Sequence, residues 1–118
     1  ILEEHADEHF EWLHGKPGRV RSPYMQYTVR CKNPELFPAI IHYDGTSRVQ
    51  TVNQNDCPDV YGLLQQWYKQ TGCPMLLNTS LNIRGEPLVN DRADALRWTK
   101  QYGVEVCLPE QKKSLIVF

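Results

Sequence analysis

Residues 75–87 read MLLNTSLNIRGEP. The stretch predicts a short buried strand over 75–78, and then sets down Asn78, Thr79, Ser80, Asn82 and Arg84 in quick succession. A strand that turns polar where it leaves the core marks the place at which open α/β sheets hold ligands. Asn78 and Asn82 supply amide donors and acceptors, Thr79 and Ser80 hydroxyls, and Arg84 a permanent forked cation. Such a set suits a compact, oxygen-rich anion that carries a carbonyl or amide, because Arg meets phosphate through paired charge-assisted bonds. Gly85 lets the chain turn closely around a ligand. The bland alternative is a polar loop whose Asn and Ser side chains satisfy their own backbone. Asn78-Thr79-Ser80 is also an N-glycosylation sequon, which matters only in an exported chain.

Working outward, Asn90 or Asp91 caps a helix with Ala95, Leu96, Trp98 and Tyr102 at core spacing, and Gly103 ends it. Upstream, Pro58 suits the first turn of a helix, Val60, Leu63, Leu64, Trp67 and Tyr68 form its apolar stripe, and Gly72 stops it. Residues 39–53, AIIHYDGTSRVQTVN, predict two strands at 39–43 and 48–52 joined at Asp44-Gly45, a strong hairpin signal. Residues 24–32 alternate and read as a strand. Residues 1–14 place Leu2, Ala6, Phe10 and Leu13 at helical spacing, closed by Gly15, Pro17 and Gly18 in a basic loop. Late strands are expected at 104–108 and 114–118. The order αβββαβαβ(β) predicts an α+β (mixed α/β) fold, a mixed sheet with packed helices.

The 118 residues suit a single domain over 1–118. With 41% hydrophobic and 10% aromatic residues, the chain reads as a soluble globular protein rather than a disordered one. A net charge of -1 gives no field that would steer it to nucleic acid or an acidic membrane, so anion recognition must be local. No apolar run approaches the roughly 20 residues of a membrane helix. The acidic N-terminus lacks the features of a signal peptide, which together predicts a cytoplasmic protein. The missing initiator Met suggests a piece of something longer. Cys31, Cys57, Cys73 and Cys107 form no C-x-x-C pair and read as reduced thiols in or near the core. His5-Ala6-Asp7-Glu8-His9 matches H-x-x-E-H, but a zinc site needs a third protein ligand and none follows. We read it as a solvated helix face and expect no metal site.

Three blocks together carry a family resemblance. LLNTSLNIRGEP (76–87) resembles the L-L-N-T-S-F-N-x-x-G-E-P pattern of the O-carbamoyltransferases of nodulation-factor and antibiotic biosynthesis. HYDGTSRVQTV (42–52) resembles their H-x-D-G-T-A-R-x-Q-T-V, and SPYM (22–25) their S-P-Y-M. The likeness covers roughly residues 1–106. Thr79–Pro87 is also similar to the T-S-A-N-x-S-G-E-P of YrdC-type threonylcarbamoyl-adenylate synthases.

The resemblance implies the C-terminal, YrdC-like domain of a carbamoyltransferase, with a twisted mixed sheet. Its ligands would be carbamoyl phosphate and ATP, with Mg²⁺ accompanying the nucleotide, and its product carbamoyl adenylate. It further implies a separate N-terminal partner, an iron-binding actin-like ATPase-type domain absent from this chain, which passes the carbamoyl group to a substrate hydroxyl. Carried over by position, Arg48 and Arg84 contact phosphate, Ser80 and Asn82 bind phosphate or carbamoyl oxygens, Asn78 contacts the carbamoyl end, and Thr46 with Gly45 offers a hydroxyl and backbone N–H groups. The bland readings are a strand-surface ion pair for Arg48, a solvated loop charge for Arg84, and for His42 a hydrogen bond across the sheet. This chain departs from the family in having Leu81 for Phe and no upstream K-x-R or W-R-P-x-x-P element, and its tail diverges. The rival reading is a non-catalytic YrdC-like module that binds RNA through Lys16, Arg19 and Arg21, or binds a protein partner. Exposed apolar surface would also permit a homo-oligomer.

Overall fold

The structure, a computed structural model, describes residues 1–107. The chain divides into two compact units, Ile1–Leu77 and Asn78–Phe118. An α+β fold is present, as expected, with three α-helices and a three-stranded sheet among the described residues.

In the first unit a 3₁₀ turn, Glu3–His5, runs into the short helix α1, Ala6–His9. Strand β1, Phe10–Trp12, follows at once. The helix expected over 1–14 therefore ends early. Phe10 is extended, with φ -131 and ψ 156, because strand β2, Thr28–Cys31, offers backbone partners alongside it. The i, i+4 spacing of Leu2, Ala6 and Phe10 fits both outcomes, since all three are buried.

Strand β3 is Thr46–Arg48, and the order β1-β2-β3 is antiparallel throughout. A single parallel bridge joins Leu2 to Val52. The strand expected over 24–32 is shorter, because the chain turns at Met25, which takes φ 57 and donates its N–H to the Ser22 carbonyl at 3.3 Å. No strand forms over 39–43. Pro38 opens a 3₁₀ turn, Pro38–Ile40, and β3 takes β2 as its partner instead. The Asp44-Gly45 turn is real but closes locally, with His42 N–H donating to the Thr46 carbonyl at 2.7 Å. Residues 75–78 and 104–107 carry no strand, while residue 108 and the segment 114–118 lie outside the described residues.

Cross-strand partners share a face of a sheet. Phe10, Val29, Cys31 and Ser47 turn inward, and Phe10, Val29 and Cys31 join Ala6, Val20 and Met75 in the main core. The opposite face carries Glu11, Thr28, Arg30, Thr46 and Arg48.

Helix α2, Pro58–Thr71, starts at Pro58 and stops at Gly72, whose φ of 72 is the left-handed cap. Of its expected stripe only Leu64 is buried, packing with Leu2 and Val52 beside half-buried Val60 and Tyr68, while Leu63 and Trp67 stay exposed. In the second unit helix α3, Arg92–Tyr102, is capped by Asp91, whose Oδ1 accepts the Asp94 N–H at 2.9 Å. Ala95 is its buried residue, and Leu96 and Tyr102 are exposed. The four cysteines are free. No helix among the described residues is long and apolar enough to cross a membrane.

Candidate functional site

The expected site residues fall into two groups, each organised within its own unit. Thr46 and Arg48 lie in the first, and Asn78, Ser80, Asn82 and Arg84 in the second.

Arg48 stands exposed on the polar face of the sheet, opposite Thr28. Arg30, which sequence reasoning passed over, pairs with Thr46 and so sits diagonally from Arg48 on that face. Diagonal neighbours are about 7 Å apart, within reach of long side chains. Among the described residues neither arginine makes an ion pair, although Glu11 occupies the position opposite Arg30 in β1. Two cationic side chains at diagonal positions of one face make that face locally attractive to an anion. The alternation in Thr28-Val29-Arg30-Cys31 was the signal that would have found Arg30.

Thr46 is almost wholly covered although it belongs to the polar face. Its hydroxyl donates to Asp44 Oδ1 at 2.6 Å, its N–H donates to the same oxygen at 3.0 Å, and its Oγ1 lies 3.0 Å from His42 Nδ1. The hydroxyl, followed by the N–H, holds the Asp44 carboxyl below its ordinary range. His42 is therefore an exposed turn residue lying on Thr46, not a mid-strand histidine bonding across the sheet.

Two of the motif blocks are stitched together here. Ser22 N–H donates to Thr51 Oγ1 at 2.9 Å, Thr51 N–H donates to the Ser22 carbonyl at 3.0 Å, and Gln50 Nε2 donates to the Pro23 carbonyl at 3.1 Å. The Gln-Thr pair after Arg48 thus holds the Ser-Pro of SPYM and fixes the approach to β2.

In the second unit Asn82 organises the polar loop. Its Oδ1 accepts the Ser80 hydroxyl at 2.9 Å, and its Nδ2 donates to the carbonyls of Ile83 and Glu86 at 3.2 and 3.1 Å. Both amide hydrogens are committed, so a ligand oxygen would have to displace one of these carbonyls. Gly85, at φ 87, completes the turn closed by Glu86 N–H on the Ile83 carbonyl at 2.9 Å. Helix α3 fastens the loop at three points. Trp98 Nε1 donates to the Asn82 carbonyl at 3.1 Å, Arg84 N–H donates to Tyr102 Oη at 3.3 Å, and Arg97 pairs with Glu86 at 2.9 Å. These contacts leave the Arg84 guanidinium exposed, and Asn78 is exposed as well.

The basic loop has its charges answered locally. Arg19 pairs with Asp7 at 3.4 Å, Arg21 with Glu3 and Asp56 at 3.4 Å each, and Lys16 lies 4.4 Å over the Trp12 ring. A neighbouring cleft of about 310 Å³ is lined by Asp7, Glu11, Lys16 and Lys32, so its charges balance. The H-x-x-E-H histidines go to different neighbours: His5 bonds Glu8 at 3.0 Å, and His9 meets Phe37 edge-on at 5.3 Å. Burial holds the His9 imidazole below its ordinary range.

The profile of the family described as Carbamoyltransferase C-terminus matches residues 1–112. The chain belongs to this family. It is similar to nodulation protein NolNO of Sinorhizobium fredii, 39% identical over 98 residues, covering 81% of this chain and 14% of that protein. Nodulation protein NolO of Bradyrhizobium diazoefficiens is 38% identical over 97 residues, 80% of this chain and 17% of its own length. The 3'-hydroxymethylcephem-O-carbamoyltransferase of Amycolatopsis lactamdurans is 37% identical over 82 residues, 70% of this chain and 16% of its own. The chain thus spans 14–17% of the length of these relatives.

Proposed function

We propose that this chain is the YrdC-like part of an O-carbamoyltransferase, binding carbamoyl phosphate and ATP and forming carbamoyl adenylate for transfer to a hydroxyl. The observation that carries this reading is the exposed Arg48, which makes no ion pair among the described residues and lies diagonally from Arg30, inside a family whose relatives include a named O-carbamoyltransferase. Both substrates carry charge on phosphate oxygens throughout the reaction, so positioning and electrostatic stabilisation do most of the work. In the first unit Arg48 binds phosphate oxygens. In the second unit Arg84 offers a phosphate contact, and Asn78 and Ser80 offer polar groups to a carbamoyl end. Asn82 acts mainly by holding the loop in shape, and Thr46 by holding its turn. Mg²⁺ arrives on the nucleotide's phosphates rather than in a protein cage. Transfer to the hydroxyl belongs to a further, iron-binding domain of the kind the resemblance implies, which also holds the acceptor pocket.

Calorimetric titration of the full chain with carbamoyl phosphate and with ATP tests the reading. Arg48→Ala should weaken carbamoyl phosphate binding about tenfold to a hundredfold, the worth of a charge-assisted bond. Equal affinities for wild type and variant would remove Arg48 from the site. The RNA-binding alternative draws no support from Lys16, Arg19 and Arg21, whose charges have neighbours within the protein.

A further inference from the structure

The turn before β3 selects the tautomer of an exposed imidazole. Asp44, as a carboxylate, accepts hydrogen bonds and donates none. The single hydroxyl hydrogen of Thr46 is directed to it at 2.6 Å. Thr46 Oγ1 therefore meets His42 Nδ1, 3.0 Å away, as an acceptor, and the ring must supply the hydrogen. In a neutral imidazole whose Nδ1 carries the proton, Nε2 carries a bare lone pair. His42 is exposed, so that lone pair is available to a ligand.

Its position gives the lone pair a use. Thr46 and Arg48 lie two residues apart on one strand and share a face, about 7 Å from one Cα to the other. The imidazole bonds Thr46, whose neighbour on that face is Arg48, so when the ring is neutral an acceptor and a cation belong to the same short stretch of the polar face. A ligand that satisfies both needs an anionic end and, a few ångströms away, an N–H donor. Carbamoyl phosphate has this composition, and acetyl phosphate, with a methyl group in place of the amide nitrogen, lacks the donor. Contacts to phosphate alone would not tell the two apart. A site that offers an acceptor to a substrate N–H disfavours the analogue whose methyl group would displace water from that acceptor without replacing its hydrogen bond.

We infer that His42 selects the carbamoyl group: its Nε2 accepts a hydrogen bond from the NH₂ of a carbamoyl phosphate held by Arg48, and Thr46 and Asp44 act as positioning residues that fix the required tautomer. This inference rests on the carbamoyl phosphate reading above.

The test titrates the full 118-residue chain with carbamoyl phosphate and acetyl phosphate at about pH 8, where an ordinary imidazole is neutral. Wild type should prefer carbamoyl phosphate about tenfold, the effect of one hydrogen bond. The ratio should fall towards one in both His42→Phe and Thr46→Val, and return in Thr46→Ser, which restores the hydroxyl. Ring-nitrogen NMR of the unliganded chain should show His42 protonated at Nδ1 in wild type and Thr46→Ser, and in mixed tautomers in Thr46→Val. A proton on Nε2 in wild type, equal binding of the two phosphates, or selectivity that survives Thr46→Val would each overturn the role of His42. Equal binding leaves Arg48 in place. Failure of wild type to bind either phosphate would instead overturn the reading of Arg48, and the role of His42 with it.

Discussion

Asn82→Asp is the substitution that most directly probes how the polar loop is held. The two side chains are nearly the same size, and Asp keeps an oxygen to accept the Ser80 hydroxyl now bonded at 2.9 Å. It loses the two donors that reach the Ile83 and Glu86 carbonyls at 3.2 and 3.1 Å. Each such bond contributes about 0.5–1.5 kcal/mol net, so the loop should lose roughly 1–3 kcal/mol against local opening. A carboxylate facing two carbonyl oxygens adds repulsion and pushes the value towards the upper end. The amides to watch are Glu86 N–H, bonded to the Ile83 carbonyl at 2.9 Å, and Val89 N–H, bonded to the Leu81 carbonyl at 2.8 Å. Their hydrogen exchange should accelerate about fivefold to a hundredfold. Thr51 N–H, in the other unit, should keep its rate. Exchange at Glu86 and Val89 within about twofold of wild type would refute the claim that Asn82 holds the loop.

Three further outcomes follow from the same structure. Asp44 should titrate below 3.8, its ordinary value, and its midpoint should rise towards 3.8 in Thr46→Val; because the folded value is the lowered one, order in the turn is fully present above the ordinary value and is lost as pH falls through the lowered midpoint, and a carboxyl NMR titration unmoved by the substitution would contradict this. Gly72→Ala places a side chain at φ 72, where a Cβ would meet nothing within 4 Å, so the cost is backbone strain alone, about 1 kcal/mol, visible as a lower urea midpoint. Asp91→Ala removes the acceptor for Asp94 N–H and should destabilise α3 by about 1 kcal/mol with a loss of helical circular dichroism, while Asp91→Asn keeps most of it.

Helices α2 and α3 were legible because their ends are written in single residues. Pro58 and Gly72 bound α2, and Asp91 and Gly103 bound α3, each acting on local backbone geometry. The sheet was less so, because its pairing is decided by partners distant in sequence. Phe10 fits the helical spacing of residues 1–14 yet enters a strand, since Cys31 lies opposite it. Asp44-Gly45 is a real turn, but Pro38 breaks the segment before it, and β3 pairs back to residues 28–30. For the site, motif positions showed which residues to inspect but not how their hydrogen bonds are distributed. Nothing local to Asn82 says that both its amide hydrogens go to its own loop, and nothing in α3 announces Arg97, Trp98 and Tyr102 as its fastenings. Arg30 was within reach, since period-two alternation already placed it with Thr28.

The fastening of the loop to α3 bears on how this protein tolerates change. The curvature of Asn82–Glu86 is held jointly by Asn82 and by a helix that reaches it through Arg97, Trp98 and Tyr102, so a change on either side bears on the other. A chimera that imports the loop alone onto a foreign helix carries its letters without its shape. One that imports residues 82–103 as a single cassette carries both, and substitutions at Trp98 or Arg97 act on the loop from a distance as surely as changes within it.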